Sequence, residues 1–349
     1  MKTLKNLFQK SISSLNHNIN SNFHNHSSPL INIVNKTSFS IIRFYSKKKF
    51  SINSNTSQKD NTDISVNNKT FNTTLKYKFN IGSVKIPHFA KRATGGEDAL
   101  AIYEGMICVA DGVGGWNEVG VDPSKYSKEL CENIKREFVQ YGHRYDYILK
   151  KIFIKAAKNT NSQGSATFCM ASLDMEKNYL HTLNLGDSGY MIIRDLAYKS
   201  VYEKIQSSKE ENIKDQSDSI DLKVIFKSDE QQHEFNFPFQ VGTHGDPPES
   251  SEIRVHDFKE NDIIVLGTDG LWDNLYEEQI LNVIKPFYQI SYKIKDLDYV
   301  ASLIAEYAEK LSLNPKYRSP FSVKSKGLYL GGKADDITII VAQIVPNRI

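Results

Sequence analysis

The chain is 349 residues long and 40% hydrophobic, enough for a large core, and its length allows one or two domains. Nine of its 44 Lys and Arg lie in residues 1–59, which hold no acid, so residues 60–349 set the other 35 against 41 acids and carry −6 despite the formal charge of +3. That balance, with no basic cluster in the folded part, excludes a nucleic-acid partner. The lack of any run of about 18 apolar residues excludes a helical membrane span, and three scattered cysteines, Cys108, Cys131 and Cys169, exclude a disulfide framework or a CxxC metal clip.

Residues 1–45 are rich in Ser, Asn, Lys and Arg and free of acids, which fits a mitochondrial transit peptide. Leu4, Phe8, Ile12 and Leu15 recur at helical spacing beside Lys2, Lys5 and Lys10. Arg43-Phe44-Tyr45-Ser46 resembles a matrix-processing site cut after Tyr45. Residues 46–78, Asn and Ser rich, read as a disordered linker, and a folded domain is expected over 79–349.

Within that domain Met106 to Ala110 is a short apolar run ending in a Gly-rich turn, a buried strand. Asp122-Pro123 opens a helix, with Asp as N-cap and Pro at the first helical position, and Tyr126, Leu130, Ile134 and Phe138 form its inner face. A second helix is expected over about Tyr145 to Lys158. Ala166 to Leu173, Tyr179 to Leu185 and Tyr190 to Arg194 read as consecutive strands of an antiparallel meander, with Gly186-Asp187-Ser188-Gly189 as a hairpin turn. Residues 199–223 are charged and polar, an exposed insertion. Ile263 to Leu266 is another buried strand, 297–312 a long amphipathic helix, and Ile337 to Ile344 a closing β-branched strand. Elements in blocks, without strict βαβ alternation, point to α+β layers.

Four segments place an acid in a turn beside glycine or a second acid: Gly96-Glu97-Asp98, Asp111-Gly112, Thr268-Asp269-Gly270 and Ala334-Asp335-Asp336. Each alone reads equally well as an ordinary turn. Together they suggest one metal site, and oxygen ligands without histidine or cysteine suit magnesium or manganese rather than zinc.

VADGVGGW (109–116), GSATFCMASLD (164–174), LGDSGY (185–190), GTDGLWDN (267–274) and ADDITIIVAQI (334–344) resemble the metal-dependent protein phosphatases, the PPM or type 2C family. With SDEQQHEFNFPFQ (228–240) they look most like its mitochondrial or organellar branch. The resemblance runs from about Gly82 to Val345 and implies a four-layer αββα sandwich, two antiparallel sheets flanked by helices. It implies a protein serine/threonine phosphatase that hydrolyses phosphoserine and phosphothreonine by a metal-activated water, with two Mn²⁺ or Mg²⁺ ions per subunit and phosphoproteins as partners. Asp111 would bridge the ions, with the Gly112 carbonyl on one of them and Asp269 and Asp335 on the other. Glu97 would act through a water, and Asp98 would orient the ligands from behind.

Two positions depart from the family. An arginine that grips the substrate phosphate falls at Ala93 here, leaving Arg92 as the candidate. Val113 replaces a histidine thought to protonate the leaving oxygen, and His233 is the candidate donor. These departures keep open a weakly catalytic phosphoprotein-binding module, and because the metals act on phosphate and not on what carries it, a metallohydrolase of small phosphorylated metabolites stays open too.

Overall fold

The computed structural model describes residues 75–141, 148–174, 177–198, 220–288 and 292–347. The expected transit peptide and most of the linker lie outside the described residues, as do 199–219 of the insertion and 145–147 of the second helix.

Two antiparallel sheets pack face to face. One holds β1 (Tyr77–Ile86), β13 (Ile337–Pro346), β12 (Ile263–Gly267), β6 (Gly189–Asp195) and β7 (Leu222–Lys227), in that order. The other runs β11 (Glu252–Asp257), β5 (Tyr179–Leu185), β4 (Ser165–Leu173), β3 (Met106–Gly112) and β2 (Ala99–Tyr103), with β10 (Val241–Gly242) also on β4. A small hairpin, β8 (Gln232–Glu234) and β9 (Phe237–Pro238), stands apart. The helices are α1 (Pro123–Tyr141), α2 (Ile148–Lys158), the single turn α3 (Asp269–Trp272), α4 (Glu277–Tyr288), α5 (Leu297–Ser312) and the short α6 (Pro320–Lys324).

Period-two alternation builds the layers. In β13, Ile337, Ile339 and Val341 face the α4–α5 side, while Ile340, Ala342 and Ile344 face the other sheet. Met106, Cys108 and Ala110 of β3 meet α1 and α2, whose Leu130, Ile134, Phe138 and Phe153 cover them. Ile107 and Val109 fill the space between the sheets. This is the αββα sandwich, with strands buried on both faces. Asp122 caps α1 as expected: its Oδ1 accepts from Ser124 N–H at 3.0 Å.

Three expectations need correction. The domain begins before residue 79: Leu75 is buried and β1 starts at Tyr77. Leu222 and Lys223, assigned to the insertion, open β7, where Leu222 pairs with Asp195 and is buried. The meander breaks after β5, because β6 joins the other sheet beside β12. Gly186 to Gly189 is therefore a crossover between sheets, and no local signal distinguishes it from a hairpin.

Candidate metal centre

Antiparallel pairing gathers the acids. Gly267, the last residue of β12, pairs with Gly189, the first of β6, and with Ile339 near the start of β13. One edge of that sheet thus carries Asp187 before β6, Asp269 after β12, and Asp335 and Asp336 before β13. In the facing sheet Ala99 pairs with Ala110, so Glu97 and Asp98 lie beside Asp111. Asp111 is the penultimate residue of β3, opposite Thr167, and Asp269 opens α3. The two acids expected in turns are thus held by regular structure, which fixes their direction more tightly than a loop.

Burial and mutual repulsion dominate the electrostatics. Asp98 is fully buried; desolvation, then Asp336 and, further down, Asp269, push its pKa up to about 8, against a hydrogen bond from Thr268. Asp111, partly open at its surface but ringed by acids, is raised well above the carboxylate range by desolvation and by Asp269, Asp98, Asp335 and Asp187. Asp335 is raised to about 7 by desolvation and Asp269, against Lys333 and Lys91. Burial acts to raise Asp269 too, but the Lys333 ammonium outweighs it and lowers its pKa.

Two lysines that the sequence patterns do not single out counter this charge. Lys333 Nζ contacts Asp269, Asp273 Oδ2 at 2.9 Å and Asp335 Oδ2 at 3.5 Å. Lys91 Nζ bonds Glu97 Oε2 at 2.5 Å and lies 3.7 Å from Asp336 Oδ2 and 3.9 Å from Asp335 Oδ1. Lys333 carries a weak signal, being two residues before Asp335. Lys91 carries none.

Asp187 also belongs here. It is buried, and desolvation followed by Asp269 raises its pKa, against Lys333. A plain turn aspartate would be solvated. Asp336 is structural: its Oδ1 accepts from His88 N–H and its Oδ2 from Glu97 N–H, both at 2.6 Å, which ties the Glu97 loop to the start of β13.

The remaining candidates divide. A Cβ at Gly112 would meet the carbonyl oxygens of Glu97 at 2.8 Å and Pro123 at 2.9 Å. The glycine therefore permits close backbone packing, a reason separate from access to its own carbonyl. Arg92 pairs with Glu309 of α5 and is largely exposed; the basic group that reaches the acids is Lys91, one residue earlier. His233 Nε2 lies 2.9 Å from Asp246 Oδ1, and its ring stacks on Phe239 at 4.2 Å. Trp116 Nε1 donates to Ser165 Oγ at 2.7 Å, whereas Trp272 is core, donating to the Gly267 carbonyl.

Among the described residues, no three His, Cys, Asp or Glu already surround a point that a metal ion could take. The donor chemistry nonetheless fits a hard divalent cation. Asp98 Oδ1, Asp187 Oδ1 and Asp269 Oδ1 are buried without a hydrogen-bond partner, a costly arrangement for carboxylates unless a cation shares them.

No family model matches the chain. Over 274 residues it is 34% identical to the Arabidopsis thaliana protein named "Probable protein phosphatase 2C 55", covering 76% of this chain and 52% of that one. Over 272 residues it is 33% identical to the Homo sapiens "Protein phosphatase PTC7 homolog", covering 72% of this chain and 80% of that one. The chain belongs to the protein phosphatase 2C family. It spans about half the length of the plant relative. The solved structure of the photosystem II phosphatase PBCP is also similar, at 29% identity and a TM-score of 0.62, covering 76% of this chain and 98% of that one. The type 2C sandwich thus brings Glu97, Asp98, Asp111, Asp269 and Asp335 to one end of the molecule, with Asp187 and two lysines among them.

Proposed function

We propose that this chain is a metal-dependent protein serine/threonine phosphatase acting on phosphoserine and phosphothreonine of mitochondrial proteins. The observation that carries the reading is the buried acid cluster with three unpartnered carboxylate oxygens, in a chain of the type 2C family. Asp111, Asp269, Asp335 and the Gly112 carbonyl would hold two Mn²⁺ or Mg²⁺ ions, Glu97 would hold one through a water, and Asp98 would orient these ligands. Bound there, such ions would neutralise the phosphate dianion and make water acidic enough to serve as nucleophile.

The chain's own residues do the rest. Thr268 Oγ1 donates to Asp98 Oδ2 at 2.9 Å and keeps that carboxylate turned inward. Asp336 fixes the Glu97 loop through two backbone hydrogen bonds. Lys91, beside Glu97 and the Asp335–Asp336 pair, would meet an incoming phosphate in the role expected for Arg92. His233, engaged with Asp246, anchors the β8–β9 hairpin. Mitochondrial import rests on the acid-free basic stretch and on Arg43-Phe44-Tyr45-Ser46.

Phosphate release from a phosphothreonine peptide by the full chain, with and without Mn²⁺, tests the reading. Turnover should vanish after chelation with EDTA and return with Mn²⁺. Undiminished turnover after exhaustive chelation, or none with Mn²⁺ present, would overturn it. Fusion of residues 1–60 to a fluorescent protein tests import: mitochondrial fluorescence and loss of 45 residues are expected, and a diffuse signal with an intact N-terminus would reject it.

A further inference from the structure

The loop that leads into Lys333 and Asp335 presents apolar side chains to solvent. Leu328 is 79% exposed and Leu330 85%, with Tyr329 between them and Val323 of α6 also exposed. The loop is not loose. Gly327 and Gly331 turn it at φ +93° and +87°. Its base is tied down by Ser319 Oγ donating to the Gly331 carbonyl at 2.6 Å and by a bridge between Arg318 and Gly331. Two leucines flanking a tyrosine, held out in water on a fixed support, form a contact surface.

A continuous path joins this surface to the acids. The Tyr329 ring lies 5.3 Å from Phe321, and Phe235 from the β8–β9 hairpin packs 5.1 Å from Phe321 and 5.9 Å from Tyr329. The Lys333 ammonium sits 5.1 Å from the Phe321 ring and contacts Asp269 and Asp335. The surroundings are basic. From Asn314 to Lys333 there are five Lys or Arg and no acid. Of these, Lys316, Arg318 and Lys326 are exposed and have no ion-pair partner among the described residues.

From these contacts we infer that the Leu328–Leu330 loop docks the stretch of an anionic phosphopeptide next to its phosphoresidue, and takes one large apolar side chain of it against Tyr329 and the two leucines. This rests on the phosphatase reading above and names its substrate class. Charge complementarity selects the occupant: an apolar patch with unpaired cations suits a phosphorylated acidic segment. Reach sets the register. Five residues span at most about 18 Å, so Leu330 is no farther than that from Asp335 along the loop, and the apolar residue falls within about five positions of the phosphoresidue.

The test is a set of phosphothreonine peptides, acidic and otherwise Ser/Gly, in which one leucine is walked from five positions before the phosphoresidue to five after it. A peptide with serine in place of leucine is the reference, and the full chain with Mn²⁺ is the enzyme. At one or two positions leucine should lower KM about tenfold while kcat changes less than about twofold; a single apolar pocket contact discriminates on that scale. In the variant Leu328→Ser/Leu330→Ser the ratio between the leucine and serine peptides should fall below about twofold. Both side chains are solvent-exposed, so the core is untouched. Equal KM for all peptides in the wild type would overturn the inference and leave the phosphatase reading standing. Failure to hydrolyse any peptide would overturn both. A wild-type dimer that the double variant converts to monomer, seen by light scattering, would assign the patch to a second copy and also overturn the inference. A Leu preference that survives in a chain lacking both leucines would overturn it too.

Discussion

Strand β12 has a buried aspartate beyond each end, and the two are treated in opposite ways. Before it, Asp262 has both oxygens satisfied: Arg194 Nε donates at 2.8 Å, Arg194 Nη2 at 2.6 Å and Lys259 N–H at 2.8 Å. After it, Asp269 has one oxygen on Lys333 and the other without a partner, with Asp98, Asp111 and Asp187 crowded nearby. Asp262 is neutralised by its own neighbours, whereas the cluster around Asp269 holds more negative charge than its residues neutralise. Folding gains nothing from the second arrangement. Its persistence marks the end of the sandwich that works on something outside the chain.

The comparison predicts that the closed end governs stability. Arg194→Met leaves Asp262 buried and unpaired and should cost about 3–5 kcal/mol of unfolding free energy. Urea denaturation followed by fluorescence would show it as a lower midpoint with an unchanged slope. A variant as stable as the wild type would remove the contrast between the two ends.

The open end should behave inversely. Asp269→Asn relieves the repulsion that raises Asp98, Asp111 and Asp335 but also removes a contact of Lys333, so the urea midpoint in EDTA should move much less than in Arg194→Met. Phosphate release should fall at least about a hundredfold, since even partners that merely orient metal ligands cost 10–100-fold. Near wild-type turnover with saturating Mn²⁺ would show that Asp269 is not a ligand. The same experiment on Asp111→Asn asks whether the acid on the facing sheet matters as much.

How much of this contrast was legible in the sequence follows from its physics. The apolar runs Met106 to Ala110, Ile263 to Leu266 and Ile337 to Ile344 declare buried strands, and acids close to those runs sit at strand ends, so Asp111, Asp269 and Asp335 can be read. Their gathering at one edge depends on which strands pair, and here the resemblance to a known family supplied what periodicity could not. The β5-to-β6 crossover stayed hidden, since a Gly-Asp-Ser-Gly stretch serves a hairpin and a sheet change equally. Asp187 in that stretch therefore reads as a turn residue. Lys91 and Lys333 are hard to pick out, since a lysine's partners are set by tertiary packing and both stand in segments without periodicity; only the closeness of Lys333 to Asp335 hints at its place. Arg92 was chosen over Lys91 by spacing alone, and a one-residue difference in a 3₁₀ turn swings the side chain to another face.

Lys333 sharpens the comparison further, because it plays for three acids the part that Arg194 plays for one. Lys333→Met should lower the unfolding free energy measured by urea in EDTA by about 1–3 kcal/mol, as Asp269, Asp273 and Asp335 lose their shared counter-charge. Added Mn²⁺ should then raise the midpoint more in the variant than in the wild type, since a divalent ion substitutes for the missing ammonium. An equal or smaller Mn²⁺ response would mean that the lysine and the ion occupy separate ground.

The smallest effect is expected at His233. A proton donor for the leaving oxygen would have to be free to point at it, and His233 Nε2 is committed to Asp246, at 2.9 Å and 3.1 Å from its two oxygens. Asp246 Oδ2 also accepts from Gln240 N–H, and Gln240 Oε1 accepts from Ser165 Oγ, the hydroxyl that Trp116 bonds beside the acid cluster. His233 thus stands at the far end of a chain of hydrogen bonds that positions a hairpin, in an exposed pair of modest strength. His233→Gln keeps an N–H able to meet Asp246 and should lower turnover less than about threefold. The loss should be equal on an alkyl phosphoserine peptide and on an aryl phosphate. Loss of a general acid would instead cost about 10²–10⁴-fold and fall mainly on the alkyl substrate, whose alkoxide leaves poorly without a proton. A split of that size between the two substrates would restore His233 as the donor that Val113 cannot be.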